Sequence, residues 1–145
     1  MLKESPDHLD ADLILKLYDL RRESVMRESR RKLGSEYWPR TAEEALAVLK
    51  ADHPLNTAWR QVAGYWEMVY GMARHGIIHG DFLVENNGEG LMLFAKVEAH
   101  LEALRKATSP RTLRNTEWVV QHTEMGAQIM ESFRARVAAR LKSGS

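Results

Sequence analysis

Between Trp59 and Ala73 the apolar residues Trp59, Val62, Ala63, Trp66, Val69, Tyr70 and Ala73 recur at intervals of three and four. That period belongs to an α-helix, and Tyr65 and Met72 widen its apolar stripe to more than half the circumference. Such a helix must be covered from several sides, which points to a fold built of helices around a central one. Asn56 or Thr57 is its expected N-cap, and Arg74-His75-Gly76 its expected end. Gly64 and Gly71 fall on one stripe of this helix. Each costs about 1 kcal/mol relative to alanine in a helix interior, so the close approach of a neighbouring helix is the expected compensation.

The flanking segments carry the same period. Ser5-Pro6-Asp7 signals a helix start, with Ser5 as N-cap candidate, proline in the first turn and then an acid. Leu9, Leu13, Leu17 and Leu20, widened by Ile14, Tyr18 and Val25, predict one long helix over Leu9–Leu33, closed by Gly34. Its second half is polar on most faces and is expected to project from the core. Trp38-Pro39 interrupts the helical pattern, because proline pushes the residue before it into extended conformations. Thr41 and Glu44 then have the spacing of a capping box for a short helix carrying Ala45, Leu46, Val48 and Leu49, which stops before His53-Pro54. After the Ile77-Ile78 corner, Asp81 is the expected cap of a helix starting at Phe82, weakened across Asn86–Gly90 and resumed from Leu91 to about Lys106. A last helix is expected from Thr116 to Leu141. No segment alternates with the period of two that strands require. The expectation is a single all-α domain over residues 1–145, an antiparallel bundle of four main helices plus short ones.

A chain of 145 residues suffices for one core without staples. With no cysteine there is no disulfide framework, thiolate metal site or cysteine nucleophile. No apolar run reaches the roughly 18 residues of a membrane span, and MLKESPDHLD lacks the apolar stretch of a signal peptide. A soluble, cytoplasmic protein without membrane association is expected. A net charge of +1 argues against a nucleic-acid partner. The basic segments Arg21–Lys32 and RARVAARLK read as solvated helix faces.

His79-Gly80-Asp81 followed by Asn86 resembles the catalytic loop of small-molecule phosphotransferases of the kinase-like superfamily. That resemblance would make Asp81 a catalytic base and Asn86 a magnesium ligand. No Gly-rich phosphate loop precedes it and no Asp-Phe-Gly follows, while Ala47-Val48-Leu49-Lys50 lies in a helical pattern rather than on a strand. Helix cap for Asp81 and turn residue for Asn86 is the preferred reading. His75 and His79 have the spacing of helical metal ligands and could join Asp81 in a facial set, but Gly76 interrupts the helix between them. No Glu-x-x-His pair of the di-iron kind occurs, and His122 falls on the apolar stripe as a core or interface histidine. No metal or cofactor is expected.

Trp59, Tyr65, Trp66 and Tyr70, with Met68 and Met72, offer more apolar surface than one bundle face usually covers. Either a second subunit covers the remainder, giving a homodimer, or a ligand pocket lies between helices near Trp66, Tyr70, His75 and His79. The subunit is favoured.

An order of signals also resembles an uncharacterised bacterial all-helical family catalogued only as a domain of unknown function. The leucine-rich helix and Arg-rich segment over Leu13–Leu33 come first. Tyr65-Trp66-Glu67 through Gly76-Ile77-Ile78, an acid-capped helix and Trp118 follow. Some members of that family carry a membrane anchor ahead of the helical part; none is expected here. The resemblance implies the fold and no activity. The functional expectation is a non-enzymatic, self-associating protein-interaction module. A small-ligand-binding bundle is the alternative, and a metal- or nucleotide-dependent enzyme at His79 and Asp81 comes third.

Overall fold

Trp59, Val62, Trp66, Val69, Tyr70 and Ala73 are all buried along one helix, α4 (Asn56–Arg74), in a computed structural model that describes residues 2–143. Three helices precede it: α1 (His8–Arg21), α2 (Ser24–Glu36) and α3 (Ala42–Ala47). It is followed by α5 (Gly80–Asn86), α6 (Glu89–Val97), a 3-10 turn (Glu98–His100), α7 (Leu101–Ala107), α8 (Arg114–His122) and α9 (Glu124–Ser143). The fold is all-α, as the period requires, and no strand occurs among the described residues. Helices α2, α8, α5 and α6 all pack on α4, and α9 packs on α6, α8 and α5. One apolar cluster runs from Leu17 to Val137.

Three expected helices are divided, the one over Leu91–Lys106 by the 3-10 turn at Glu98–His100 and the two longest as follows. Between α1 and α2 the break falls at Arg22-Glu23, without glycine or proline. The Glu23 carboxylate accepts the Met26 N–H at 2.9 Å and so starts a new helix. Helix α2 does not project from the core: Met26, Ser29 and Leu33 are buried against α4, and the helix runs through Gly34 to Glu36. Between α8 and α9 the break falls at Thr123, whose hydroxyl accepts the Gly126 N–H at 2.9 Å while the backbone turns extended. A Cβ on Gly126 would lie 2.6 Å from the Val119 carbonyl oxygen, so only glycine lets the chain fold back this tightly.

Several caps differ from expectation. Asp7, not Ser5, caps α1, accepting the Leu9 and Asp10 N–H groups while the Asp10 carboxylate returns to the Asp7 N–H. Thr41 accepts the Glu44 N–H as expected, but the Glu44 carboxylate reaches back to Arg40 instead of Thr41. Neither Asn56 nor Thr57 caps α4. The buried Asn56 amide donates to the Val48 carbonyl at 2.9 Å, holding the loop after α3. Helix α8 is capped from α4: Glu67 accepts the Thr116 N–H at 2.9 Å, its hydroxyl at 2.8 Å and the Asn115 N–H at 3.1 Å. That capture holds the chain just past Leu113, which sits in the left-handed region at φ 58°.

The two glycines of α4 differ. A Cβ on Gly71 would lie 2.8 Å from the Asn115 amide nitrogen, so close approach explains it; a Cβ on Gly64 would meet nothing within 4 Å. The tightest aromatic contact involves Gly90 of α6, where a Cβ would come within 2.7 Å of both the Trp66 and Tyr70 rings. Gly90→Ala is therefore expected to destabilise the fold by about 1–3 kcal/mol through overpacking, measured by denaturant unfolding, whereas Gly64→Ala should leave it unchanged or slightly more stable.

Lys96 on α6 is almost wholly buried. Its ammonium donates to the Leu33 and Gly34 carbonyls at 3.1 and 3.2 Å, near the C-terminal end of α2, and lies 3.9 Å from the centre of the Trp38 ring. The Arg140 guanidinium sits 4.9 Å from the same ring. Burial, reinforced by Arg140 and only partly offset by Glu89, pushes Lys96 down to about 8. The unfolded chain therefore binds this proton more tightly than the folded one. Stability from this group is expected to rise as pH climbs from about 8 towards the ordinary lysine value of 10.5. Chemical unfolding of wild type and Lys96→Met across that window should show a rise for wild type relative to the variant on the order of 3 kcal/mol.

Candidate functional site

The residues singled out around the central helix do not form an open pocket. Trp66 and Tyr70 are 1% and 0% exposed. Their rings stack with centroids 5.5 Å apart, and Tyr65 meets Trp66 edge-on at 5.0 Å. The Tyr70 hydroxyl donates to the Asn87 carbonyl at 2.7 Å, and burial holds it far above the ordinary phenol range. The Trp66 and Tyr70 rings are thus covered by the chain itself, because Gly90 lets α6 close directly over them, while Tyr65 is only partly buried and Met68 is 50% exposed.

His75 and His79 stand on either side of the Gly76–Ile78 corner. His75 is exposed at the end of α4, beyond which Gly76 turns left-handed at φ 74°. His79, not Asp81, caps α5: its Nδ1 accepts the Phe82 N–H at 3.1 Å. The His79 backbone N–H donates to Asp10 at 3.2 Å, which ties the corner to α1. Asp81 instead accepts the Met125 N–H at 2.8 Å and caps α9. Asn86 donates to the Phe82 carbonyl within its own helix. Asp81 and Asn86 are thereby engaged in backbone capping and helix contacts. No trio of His, Asp or Glu positioned to hold a metal exists among the described residues. Of the core and interface readings for His122 the core one fails: the ring is exposed and stacks on Trp118 with centroids 4.7 Å apart.

Uncovered apolar surface collects elsewhere. On α1, Leu9, Leu15, Tyr18 and Leu20 are 59%, 68%, 51% and 53% exposed, while only Asp10 and Leu17 of that helix are buried. By the helical period Leu9 and Leu20 lie on one flank of the buried face and Tyr18 and Leu15 on the other. Burial alone would raise the Asp10 carboxyl, but hydrogen bonds from Lys3, the Asp7 N–H and the His79 N–H outweigh it and keep it below the ordinary carboxylate range. Beside Leu20 a groove of about 670 Å³ opens between the start of α2 and α4, with Met26, Gly64, Tyr65 and Met68 along it and Arg60 at its rim. The leucine spacing of α1 is legible in the sequence, and the sign of an uncovered helix is there as well: Leu15 falls outside the single stripe that Leu9, Leu13, Leu17 and Leu20 define.

If Asp81 is a helix cap, Asp81→Ala should lower stability by about 1–2 kcal/mol, the usual loss for a removed N-cap, read from the denaturation midpoint. Asp81→Asn should retain part of that loss, because an amide oxygen still accepts the Met125 N–H.

The family model described as "Domain of unknown function (DUF4760)" matches residues 6–123, from just before α1 to the break ahead of α9. No curated protein matches the chain, and no solved structure does. The chain belongs to the DUF4760 family.

Proposed function

We propose that this family member is a non-enzymatic protein-interaction module that associates with itself through the outer flanks of α1, as a soluble cytoplasmic homodimer. The observation that carries this is the concentration of uncovered apolar side chains on one helix: Leu9, Leu15, Tyr18 and Leu20 are each more than half exposed. Scattered apolar residues on a surface are ordinary, but several on one helix are not. Each, already partly buried, would gain roughly 1–2 kcal/mol on full burial. Asp12, Lys16 and Asp19 are interleaved among them on the exposed part of the helix. Mixed charge of that kind suits a protein surface better than an anionic membrane, and no helix of the described residues is long and apolar enough to cross a bilayer. Trp66, Tyr70, His75 and His79 fit structural roles better than ligand binding, since the first two are sealed and His79 is a cap.

Light scattering from micromolar to millimolar concentration tests the reading, with a dimer mass as the expected result. Leu15→Glu and Leu20→Glu place charges on residues that the monomer leaves in water. They should weaken association at least about tenfold, or 1.4 kcal/mol, without moving the melting temperature of the monomer. A wild-type protein that stays monomeric throughout would overturn the proposal.

A further inference from the structure

We infer that the small cavity between α2, α4 and α6 binds a short-chain carboxylate, whose charge is met by Lys96 and Arg30 and whose hydrocarbon end lies against Leu33, Val62 and Leu93. The cavity measures about 60 Å³. At roughly 10–15 Å³ for each water-sized group, that space takes about four to six heavy atoms, the size of acetate to butyrate. Its wall is apolar apart from two cations and one acid, the make-up of a site that orients a small charged molecule. Gly34 of α2 keeps one side of the wall open. A Cβ there would meet nothing within 4 Å, although alanine would suit the helix better. The cavity shares no residue with the outer flanks of α1, so it stands apart from the self-association proposed above.

The charge of Lys96 is what calls for an anion. Lys96 is 5% exposed, yet no carboxylate lies within ion-pair distance of it among the described residues. Its ammonium donates to the Leu33 and Gly34 carbonyls beside the Trp38 ring, and its third proton has no oxygen acceptor. Carbonyl dipoles and a ring face replace only part of the hydration that a buried charge loses. Glu89, the one acid of the cavity wall, is taken by the Arg30 Nε at 2.7 Å. Arg30 also donates from Nη1 to the Arg21 carbonyl, while its Nη2 meets no acceptor among the described residues. Helix α4 lends the wall only the uncharged Val62, and Arg140 of α9 brings another cation to Trp38. The wall thus holds one positive charge in excess. Burial and Arg140 push Lys96 down to about 8, and a carboxylate beside the ammonium acts in the opposite sense. Binding is therefore coupled to proton uptake and weakens as pH rises past 8, by up to about tenfold per pH unit.

The test is a titration of sodium butyrate into the full chain at neutral pH, followed by backbone amide NMR, with sodium chloride at equal ionic strength as control. Saturable shifts at Leu33, Gly34 and Leu93 are expected from butyrate and none from chloride. Butyramide has the same size without the charge and should leave these amides unmoved at a concentration where butyrate saturates. Lys96→Met should lower the affinity for butyrate at least about tenfold. Should that chain fail to fold, Arg30→Met, at a partly exposed position, takes its place with the same expected direction. The assignment is overturned by the absence of a saturable shift, by butyramide binding as tightly as butyrate, or by an affinity that the substitution leaves unchanged.

Discussion

The fold depends on helix ends that are satisfied by side chains from other helices. Each helix leaves its first N–H groups and last carbonyls without partners inside it, and a chain of short helices multiplies those ends. Glu67 of α4 takes the first donors of α8, Asp81 of α5 takes one from α9, and Asp10 of α1 takes the N–H of His79 ahead of α5. At the opposite polarity Lys96 of α6 supplies donors to the end of α2. These contacts do more than remove unpaired polar groups. Each joins the terminus of one helix to the body of another, and so fixes where a helix begins as well as what it packs against.

This explains which parts of the fold were legible in the sequence. The central helix and its buried face could be read from period alone, since Trp59 through Ala73 are buried as their spacing requires. Its C-terminal stop was legible because Gly76 acts locally. The breaks at Glu23 and Thr123 were not, because neither residue is a strong helix breaker and both act as caps only once the chain has turned. The partners of the remote caps lie 48 residues from Glu67 and 44 from Asp81, beyond any window of local pattern. Asp81 shows the limit well: an acid just ahead of an apolar run reads as the cap of its own helix, and only the packing of α5 on α9 redirects it.

Composition and packing part in the same way at the apolar surfaces of α4 and α1. The aromatic content of α4 suggested surplus surface, yet one glycine on α6 lets the Trp66 and Tyr70 rings be absorbed within the chain. Half of the large apolar side chains left exposed lie on α1, with Leu2, Val25, Met68 and Ile77 elsewhere, and the leucines of α1 look like an ordinary core stripe until the neighbours are known. How far a side chain is exposed is a property of what stands opposite it. In α1 little does: Leu17 and Asp10 are the only residues of the helix buried by the fold.

The attachment of α1 has a kinetic side. The helix is joined to α2 by two residues, Arg22-Glu23, held to the corner by a buried carboxylate, and held to α4 by the Tyr65 hydroxyl, which donates to the Leu17 carbonyl at 2.7 Å. When α1 lifts away, Asp10 regains water, and that recovered hydration offsets part of the lost packing. Detachment is then a sub-global opening that leaves the caps of α8 and α9 intact, and its frequency is set by a few local contacts instead of by global unfolding. The helix with the most uncovered apolar surface is thus also one with few buried anchors, and pairing of α1 between copies would slow the exchange of its amide protons.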